Sequence, residues 1–550
     1  METDSESDEL SGNESDFFDS GGESSSDESM DEDYDPGGID SDDDNNGCCR
    51  WSTTRSIAPN SILPDGYLQE YGRPSRVYAD GTEPSDIVEE VADNTFFLDS
   101  ILATNEHGYS DQRFINEFGN DGIPTDDKGI ALMKGFFAIK IFLKLKGVKQ
   151  VEWAWSNDPL KEESEVKKIM HFKRFQLILK HYRIVKQSVL PHKTSAQYHP
   201  LQNIRSGVEY LRKKSNELWI PGEKLVIDEG RVRSKSKRNP YKIRNVEKPI
   251  RMGWTIPKLA TKGTHGGFFT SNHIVKVGKK TYHREPTKGK NYYIVEHLIQ
   301  DYKNQGRLLV IDSGFPTINL LRDAKLLWGT RVIATQRGNT SHLPKSHAAN
   351  VKTAKSFARG YSKTLHSNEG ITLTYWNDNS PVTFLDNDIE PETEAPILVN
   401  QGRDQIAINV PTVAKLYREM YGWVDRSNQH LSYYSMEFRS VRKQSRVFDS
   451  MFETYAIMNP YVVWKNSLNL TANVSTRNLS ISEFRFNLVR IWFAVCRQMN
   501  GSDNSLHYRI SCPKQRKPLA STLLSPRKGN FIVSFLFLLP SSSLNVKQFN

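Results

Sequence analysis

Two aspartates follow short apolar segments, and their type and spacing could support metal chemistry. Asp312 comes directly after Leu308–Ile311, and Asp228 comes after the similar run at 224–227. Short runs rich in β-branched residues predict buried strands. Because open α/β sheets bind ligands beyond the carboxyl ends of their strands, we expect both carboxylates at one edge of a sheet. The repeated arrangement indicates a metal site.

A site for two metal ions needs a third acid, since Mg²⁺ prefers near-octahedral coordination by oxygen. Asp425 is the candidate, because it lies in the segment Met-Tyr-Gly-Trp-Val-Asp-Arg, on or beside a predicted helix that could cross the sheet. Glu229 is expected to face away by strand alternation, and Asp323 because it lies well inside a helix. The candidate ligands are therefore Asp228, Asp312 and Asp425.

A cluster of basic residues follows the first aspartate. Between positions 231 and 251, nine Lys and Arg residues stand against the single acid Glu247, with Tyr241 among them. Such a cluster predicts contacts with nucleic-acid phosphates, while a solvated loop and a nuclear localisation signal are the alternatives. The nine candidate DNA-binding residues are Arg231, Arg233, Lys235, Lys237, Arg238, Lys242, Arg244, Lys248 and Arg251.

The charge of the chain is divided unevenly and favours a polyanionic partner. Residues 1–50 hold 19 of the 65 Asp and Glu residues but one of the 73 Lys and Arg residues. The rest of the chain therefore has an excess of 26 basic side chains. Nucleic acid is the leading partner for such a body, and a dispersed solvated surface is the alternative.

Composition bounds the class of protein. A chain of 550 residues with 37% hydrophobic residues fits a globular protein of two or three domains. Four cysteines are too few for a disulfide framework, which indicates a reducing compartment. The apolar run at 531–539 is far shorter than the roughly 20 residues that span a bilayer, so no membrane contact is expected.

The elements that must position the candidate residues change in kind along the chain. Residues 1–50 are acidic and polar, which predicts disorder. Helical spacing follows from about residue 85, and the stretch 130–145 is apolar all round, which predicts a buried helix. After residue 222, strands come first and then helices and strands alternate. This order predicts an α/β sheet of the ribonuclease-H type.

The predicted segments follow from these changes in composition and periodicity. They are a disordered acidic tail and linker (1–85), the first part of a helical domain (86–221), the first part of the core (222–337), an insertion with one strand at 372–376 (338–395), the third-aspartate helix of the core (396–430), the second part of the helical domain (431–495) and an irregular tail without a zinc module (496–550).

Three segments together resemble one family. Val-Ile-Asp-Glu at 226–229, Val-Ile-Asp-Ser-Gly-Phe at 310–315 and Gly-Trp-Val-Asp-Arg-Ser-Asn-Gln at 422–429 follow the order of the three-aspartate signature of the piggyBac transposases and their derived proteins. The Lys-Pro pair at 248–249 resembles that family's basic segment before a strand. Tyr417 also stands near the third aspartate as in that family.

The resemblance covers about residues 88–495 and implies both a fold and a reaction. The implied fold is an RNase-H-like catalytic core with an insertion, combined with a helical dimerisation and DNA-binding domain. The implied reaction is two-metal phosphoryl transfer with Mg²⁺ or Mn²⁺, in which Asp228, Asp312 and Asp425 are the catalytic residues and metal ligands. Double-stranded DNA with a TTAA-type target, a homodimer and a nuclear location are the further implications.

Several features depart from the family pattern and leave other functions open. Asn428 stands three residues after the third aspartate, where an acid is common, and Gly314 stands where an aromatic residue is usual. Too few Cys and His residues follow position 495 for the family's zinc module, so no structural zinc is expected.

The first hypothesis is a DNA-binding protein with a metal-dependent strand cleavage and transfer site. The alternatives are a domesticated or degenerate non-catalytic DNA-binding protein and, third, a non-catalytic interaction protein.

Overall fold

The computed structural model describes the part of the chain that carries the candidate site. The predictions for residues 1–50, for Arg238 and for most of 496–550 lie outside the described residues. The described residues are 51–53, 69–79, 81–237, 239–246, 248–282, 288–337, 343–344, 357–389, 396–401, 404–438, 444–467, 479–499 and 501.

Seven α-helices lie between residues 84 and 217, before the long strands of the central sheet. The helix predicted around 130–145 is α4, and fifteen of its residues are buried, as its uniformly apolar sequence requires. Asp126 caps this helix by accepting hydrogen bonds from the N–H groups of Lys128 and Gly129. The seven helices are α1 (Pro84–Val91), α2 (Asn94–Gly108), α3 (Gln112–Phe118), α4 (Asp127–Leu145), α5 (Ser164–Ile169), α6 (Phe172–His181) and α7 (Gln202–Glu217).

Seven further helices follow within the described residues. The region of the predicted third-aspartate helix holds two helices, because the chain breaks at Tyr421 and Gly422. A π-helical segment, Glu453–Met458, joins two of the others. The predicted capping box is present, since Glu483 accepts a hydrogen bond from the N–H of Ser480. The helices are α8 (Lys290–Leu298), α9 (Ile318–Leu326), α10 (Thr412–Met420), α11 (Trp423–Tyr433), α12 (Ser445–Phe452), α13 (Asn459–Ser467) and α14 (Ile481–Met499).

Fourteen strands lie in the described residues, and most of them form one sheet. They are β1 (Trp51–Ser52), β2 (Arg73–Pro74), β3 (Trp219–Ile220), β4 (Lys224–Arg233), β5 (Ile243–Arg244), β6 (Met252–Lys262), β7 (Phe268–His273), β8 (Leu308–Ile311), β9 (Arg331–Gln336), β10 (Ser362–Ser367), β11 (Thr372–Asn377), β12 (Pro381–Asp386), β13 (Ile397–Gln401) and β14 (Asp404–Ile408).

The main sheet has ten strands among the described residues, in the order β1-β10-β11-β12-β9-β8-β4-β6-β5, with β7 paired to β6. β4, β6 and β7 are antiparallel neighbours, whereas β8 runs parallel to β4 and β9 runs parallel to β8. The parallel strands need crossover connections, which α8 and α9 supply. The chain is therefore a mixed α/β protein with a large central sheet and many helices.

The range 338–395 contributes more strand structure than its polar sequence indicates. One strand was expected at 372–376, but the structure has three, β10, β11 and β12, and they pair antiparallel in series. β12 pairs with β9, so these strands continue the main sheet. The strand expected at 372–376 is present as β11. β10 and β12 were not expected, because outer strands such as Ser-Lys-Thr-Leu-His-Ser carry polar residues at positions that the pairing of strands stabilises.

Asp228 does not end its strand, and this corrects the sequence interpretation. β4 continues to Arg233 because residues 228–233 pair with β6 after the parallel pairing with β8 has stopped at Ile227. Asp312, in contrast, directly follows β8 as expected. The first aspartate thus lies inside a ten-residue strand, at the point where its neighbour on one side ends.

Each face of the sheet is covered by a different pair of helices. Ile227 belongs to a core shared with α8 and α9, whereas Val226 and Val310 belong to a core shared with α10 and α11. Because side chains alternate along a strand, Asp228 and Asp312 face the same side as Val226 and Val310. Both carboxylates therefore lie under α10 and α11.

A third core joins helices from both ends of the described chain. Phe137 of α4 stacks on Phe452 of α12, with ring centroids 4.5 Å apart, and Phe97 of α2 meets Trp492 of α14 edge to face at 5.9 Å. α1 to α7 and α12 to α14 thus pack as one helical body beside the sheet. Across the described residues, no helix is long and apolar enough to cross a membrane.

Candidate active site

Asp228 and Asp312 occupy matching positions on neighbouring parallel strands. Ile227 pairs with Ile311 in the register of β4 and β8, and one aspartate follows each of them. Since adjacent strands lie about 4.8 Å apart, the two carboxylates begin from neighbouring backbone positions on one face. The expectation that the two strands deliver their acids to one place is therefore met by the register of the sheet.

Asp425 lies in the first turn of α11, which packs over β4. It is exposed, Asp312 is half-buried and Asp228 is buried. Burial, followed by the negative charges of Asp425 and Asp312, raises the pKa of Asp228 to about 7, although the N–H of Glu229 donates to its Oδ1 at 2.6 Å and opposes the rise. The structure thus brings the three predicted aspartates into one electrostatic neighbourhood.

Two hydroxyl groups surround Asp312. Thr335, near the end of β9, donates to Oδ1 of Asp312 at 3.3 Å, and its Oγ1 lies 3.3 Å from the hydroxyl of Tyr417 on α10. Burial raises the pKa of Tyr417 to about 12, and the carboxylates of Asp312 and Asp228 add to the rise. Tyr417 therefore stays protonated near the acids and contacts the hydroxyl of Thr335, which in turn binds the second aspartate.

Asn428 occupies the position where the family commonly has an acid, and its side chain is engaged. Its Oδ1 accepts a hydrogen bond from Nζ of Lys258 on β6 at 2.9 Å. Lys258 is 3% exposed, and burial lowers its pKa to about 8. Gly230 leaves the room for this contact, because a Cβ there would lie 2.9 Å from Cε of Lys258 and 3.1 Å from Oδ1 of Asn428.

The basic segment lies next to the first aspartate in space as well as in sequence. The positive charge of Lys248 lowers the pKa of Asp228 and partly offsets the effect of burial. Arg231 points elsewhere, since its guanidinium donates to the carbonyl of Ile243 at 2.5 Å. Of the other predicted residues, Lys242 and Lys248 are half-buried and five are exposed: Arg233, Lys235, Lys237, Arg244 and Arg251.

The two acids set aside on sequence grounds are bound elsewhere. Glu229 accepts from Lys276 at 2.8 Å, and Asp323 is buried in α9, where Lys288 and Tyr292 donate to it. Both therefore already have partners, as expected from their positions in a strand and a helix.

Sequence reasoning missed Thr335 and Lys258. Thr335 had one available signal, a polar residue near the end of an apolar strand. Lys258 had another, a lysine inside the long apolar strand β6. Each signal is weak alone, because only the order of the strands in the sheet shows which acid lies near each residue.

The donors fit a hard divalent cation by type, since carboxylate oxygens are the ligands that Mg²⁺ and Mn²⁺ favour. Burial and, after it, the charges of Asp425 and Asp312 raise the pKa of Asp228, and a bound cation would offset both effects by favouring the ionised form. Within the described ranges, no three His, Cys, Asp or Glu side chains are close enough together to hold a metal ion. The donor type therefore fits, while a metal site of three such ligands is not formed in this structure.

Comparisons with known proteins bear on the family and on the fold of the chain. A family model described as Transposase IS4 matches residues 90–461, which is more than half of the chain. The cryo-EM structure of a piggyBac transposase synaptic complex with hairpin DNA is similar, with a TM-score of 0.61 and 18% sequence identity. The match covers 79% of this chain and 85% of that chain, and at this identity it shows a shared fold.

Proposed function

Because the chain belongs to the Transposase IS4 family, in its piggyBac type, we propose that it is a transposase-derived DNA-binding protein with a candidate two-metal site for DNA strand cleavage and transfer. The observation that carries the proposal is that three acids from separate segments influence one another, since the charges of Asp425 and Asp312 both raise the pKa of Asp228. A single aspartate after a strand would not support it.

The core is proposed to be RNase-H-like. Its five central strands, in the order β7-β6-β4-β8-β9, support this, because the first three are antiparallel and the last two run parallel to β4. Asp228 then comes from β4, Asp312 follows β8, which runs parallel to β4, and Asp425 comes from α11. Such a core uses the sheet to fix two carboxylates and a helix to bring the third.

The three aspartates are the residues that would hold Mg²⁺ or Mn²⁺, and a bound pair of ions would supply charge stabilisation at the reacting phosphate. Thr335 donates a hydrogen bond to one oxygen of Asp312, and the hydroxyl of Tyr417, which remains protonated near neutral pH, contacts Thr335. Asp228 is held by the N–H of Glu229. The protein's own contribution would therefore be to supply three carboxylates, of which Asp228 is buried, Asp312 is half-buried and Asp425 is exposed.

DNA is the proposed partner because the exposed basic segment lies beside these acids. Lys248 influences Asp228 directly, and five other members of the cluster are exposed. Each phosphate that a lysine or arginine neutralises adds about 0.9 to the slope of log affinity against log salt. The TTAA-type target, the homodimer and the nuclear location remain predictions.

One observation favours the alternative, a non-catalytic DNA-binding protein of the same family. Asn428 replaces the acid common at its position, and its oxygen is taken up by Lys258. A neutral amide cannot act as an anionic ligand or a general base. Binding without strand cleavage would follow if that fourth acid is required.

A cleavage assay separates the two functions. The full chain is incubated with linear DNA carrying a panel of element ends, with Mn²⁺ or with EDTA, and strand breaks are read on a denaturing gel. We expect Mn²⁺-dependent nicking that disappears in Asp312→Asn and persists in Glu229→Gln, the matched control whose partner is Lys276. DNA binding without nicking by the wild type would favour the non-catalytic alternative.

A further inference from the structure

The side chain of Lys258 on β6 crosses β4 to reach α11. It stands directly opposite Asp228 in the antiparallel pairing of β6 with β4, so both side chains leave the same face. Its Cε nevertheless lies over Gly230, two residues further along β4, and its Nζ reaches Asn428. The backbone of Lys258 therefore lies beside Asp228, whereas its ammonium group contacts Asn428 on α11.

α11 needs such an anchor near its first turn. Trp423 and Val424 bury their side chains in the core beneath the helix, whereas Asp425 is exposed. Asn428 is three residues after Asp425, so the two side chains lie on neighbouring positions of one helix face. A contact that holds Asn428 also fixes the rotation of the helix that carries Asp425.

The space for this anchor depends on Gly230. Any larger residue there would put a Cβ within 3.1 Å of the amide oxygen of Asn428 and closer still to Lys258. A buried ammonium is retained only when a partner compensates for its lost hydration. Three elements, β4, β6 and α11, therefore supply one residue each to a single contact.

We propose that Lys258 is a positioning residue, whose hydrogen bond to Asn428 across Gly230 fixes α11 on the sheet and thereby places Asp425 beside Asp228 and Asp312. The part of this inference that concerns metal rests on the proposed function, because it treats Asp425 as a ligand. The part that concerns the docking of α11 stands on the contact alone. The amide at position 428 is then a structural partner of the lysine.

The test measures helix docking and metal affinity separately. Lys258→Met removes the donor and the buried charge while keeping an unbranched apolar stem. Asn428→Ala removes the acceptor and improves helix propensity, so any loosening of α11 must come from the lost contact. Asn428→Asp keeps an acceptor for Lys258. Lys276→Met, which breaks an ion pair on the opposite face of β4, is the matched control.

Hydrogen exchange of the full chain, read over residues 423–433, reports on docking. Loss of one hydrogen bond to a charged group is expected to speed exchange there about tenfold in Lys258→Met and Asn428→Ala. Exchange in α14 should stay unchanged, and Asn428→Asp and Lys276→Met should retain the wild-type protection of α11. Wild-type protection of α11 in both Lys258→Met and Asn428→Ala would overturn the inference.

Titration with Mn²⁺, followed by electron paramagnetic resonance, reports on the site. The Mn²⁺ dissociation constant is expected to rise about tenfold in Lys258→Met, the size typical for loss of a residue that orients a ligand. Unchanged Mn²⁺ affinity together with a loosened α11 would overturn the positioning of Asp425. A wild type that binds no Mn²⁺ would refute the metal site itself, while the exchange data would still decide whether Lys258 docks α11.

Discussion

Asp228 is the residue whose environment most clearly distinguishes a site from a solvated loop. Its folded pKa of about 7 lies well above the value of about 3.9 expected in the unfolded chain. The folded state therefore binds the proton more tightly, and stability falls as pH rises from about 4 to about 7 and does not recover above that. An ionised Asp228 thus costs stability at neutral pH when no cation is bound.

We therefore expect Asp228→Asn to be more stable than the wild type at pH 8 in EDTA, by about 2 to 4 kcal/mol, because the amide carries no charge. At pH 4 the difference should nearly vanish. Urea unfolding at the two pH values measures it, with Glu229→Gln as a neighbouring control. An equal difference at both pH values would show that the repulsion does not exist.

Asn428 gives a second prediction for single residues. Restoring an acid by Asn428→Asp should not by itself tighten Mn²⁺ binding, because Lys258 lies 2.9 Å from that oxygen and would pair with the new carboxylate. The double variant Asn428→Asp with Lys258→Met frees the carboxylate from this partner, and we expect it to bind Mn²⁺ more tightly than the Lys258→Met single variant. Tighter binding in Asn428→Asp alone would contradict this role of the lysine.

The candidate aspartates were predictable from sequence because each belongs to a local pattern. An apolar strand or a helical segment precedes each acid, so short windows of sequence indicate all three. Thr335 and Lys258 were not predictable in the same way, since their importance depends on which strands are neighbours. Strand order is set by packing over long distances in the sequence, and no short window contains it.

The elements were predictable to different degrees for a similar reason. α4 is apolar on every side, and its burial followed directly from that composition. β4 was expected to stop at Asp228, but pairing with β6 carries it on to Arg233 through polar residues that no hydrophobic pattern marks. β10 to β12 were underestimated because hydrogen bonding between strands stabilises sequences of low apolar content.

The basic segment between β4 and β6 allows a prediction at the level of elements. Lys235 and Lys237 are exposed, and if each neutralises one phosphate, their replacement by alanine should lower the slope of log affinity against log salt by about 2. Lys235→Arg with Lys237→Arg keeps the charge and should keep the slope. Fluorescence anisotropy on duplex DNA at several salt concentrations measures it, and an unchanged slope in the alanine variant would remove these residues from the interface.

At the scale of the whole molecule, segments far apart in sequence share one helical core. Nζ of Lys140 in α4 lies 2.6 Å from Oδ1 of Asp449 in α12, and the two side chains are 4% and 7% exposed. Such a pair is isolated from water, so loss of one member leaves an uncompensated charge inside the core. The early and late helices are therefore expected to unfold together.

Asp449→Asn should lower the free energy of unfolding by about 3 to 5 kcal/mol, because the ammonium of Lys140 would lose its buried counter-charge. Asp158→Asn, in an exposed pair with Lys161, is the control and should change stability far less, because water and salt screen that pair. Urea unfolding followed by circular dichroism measures both. A loss confined to a separate unfolding step of the late helices would show that the two groups fold independently.

The account depends on Asp228, Asp312 and Asp425 acting as one cation site. Crystals of the full chain grown with Mn²⁺ test this directly, because anomalous scattering locates the ion without reference to the protein atoms. We predict Mn²⁺ in direct contact with carboxylate oxygens of all three residues, with two ions about 4 Å apart if the site is complete. Anomalous peaks elsewhere, or none beside these aspartates at saturating Mn²⁺, would contradict the account.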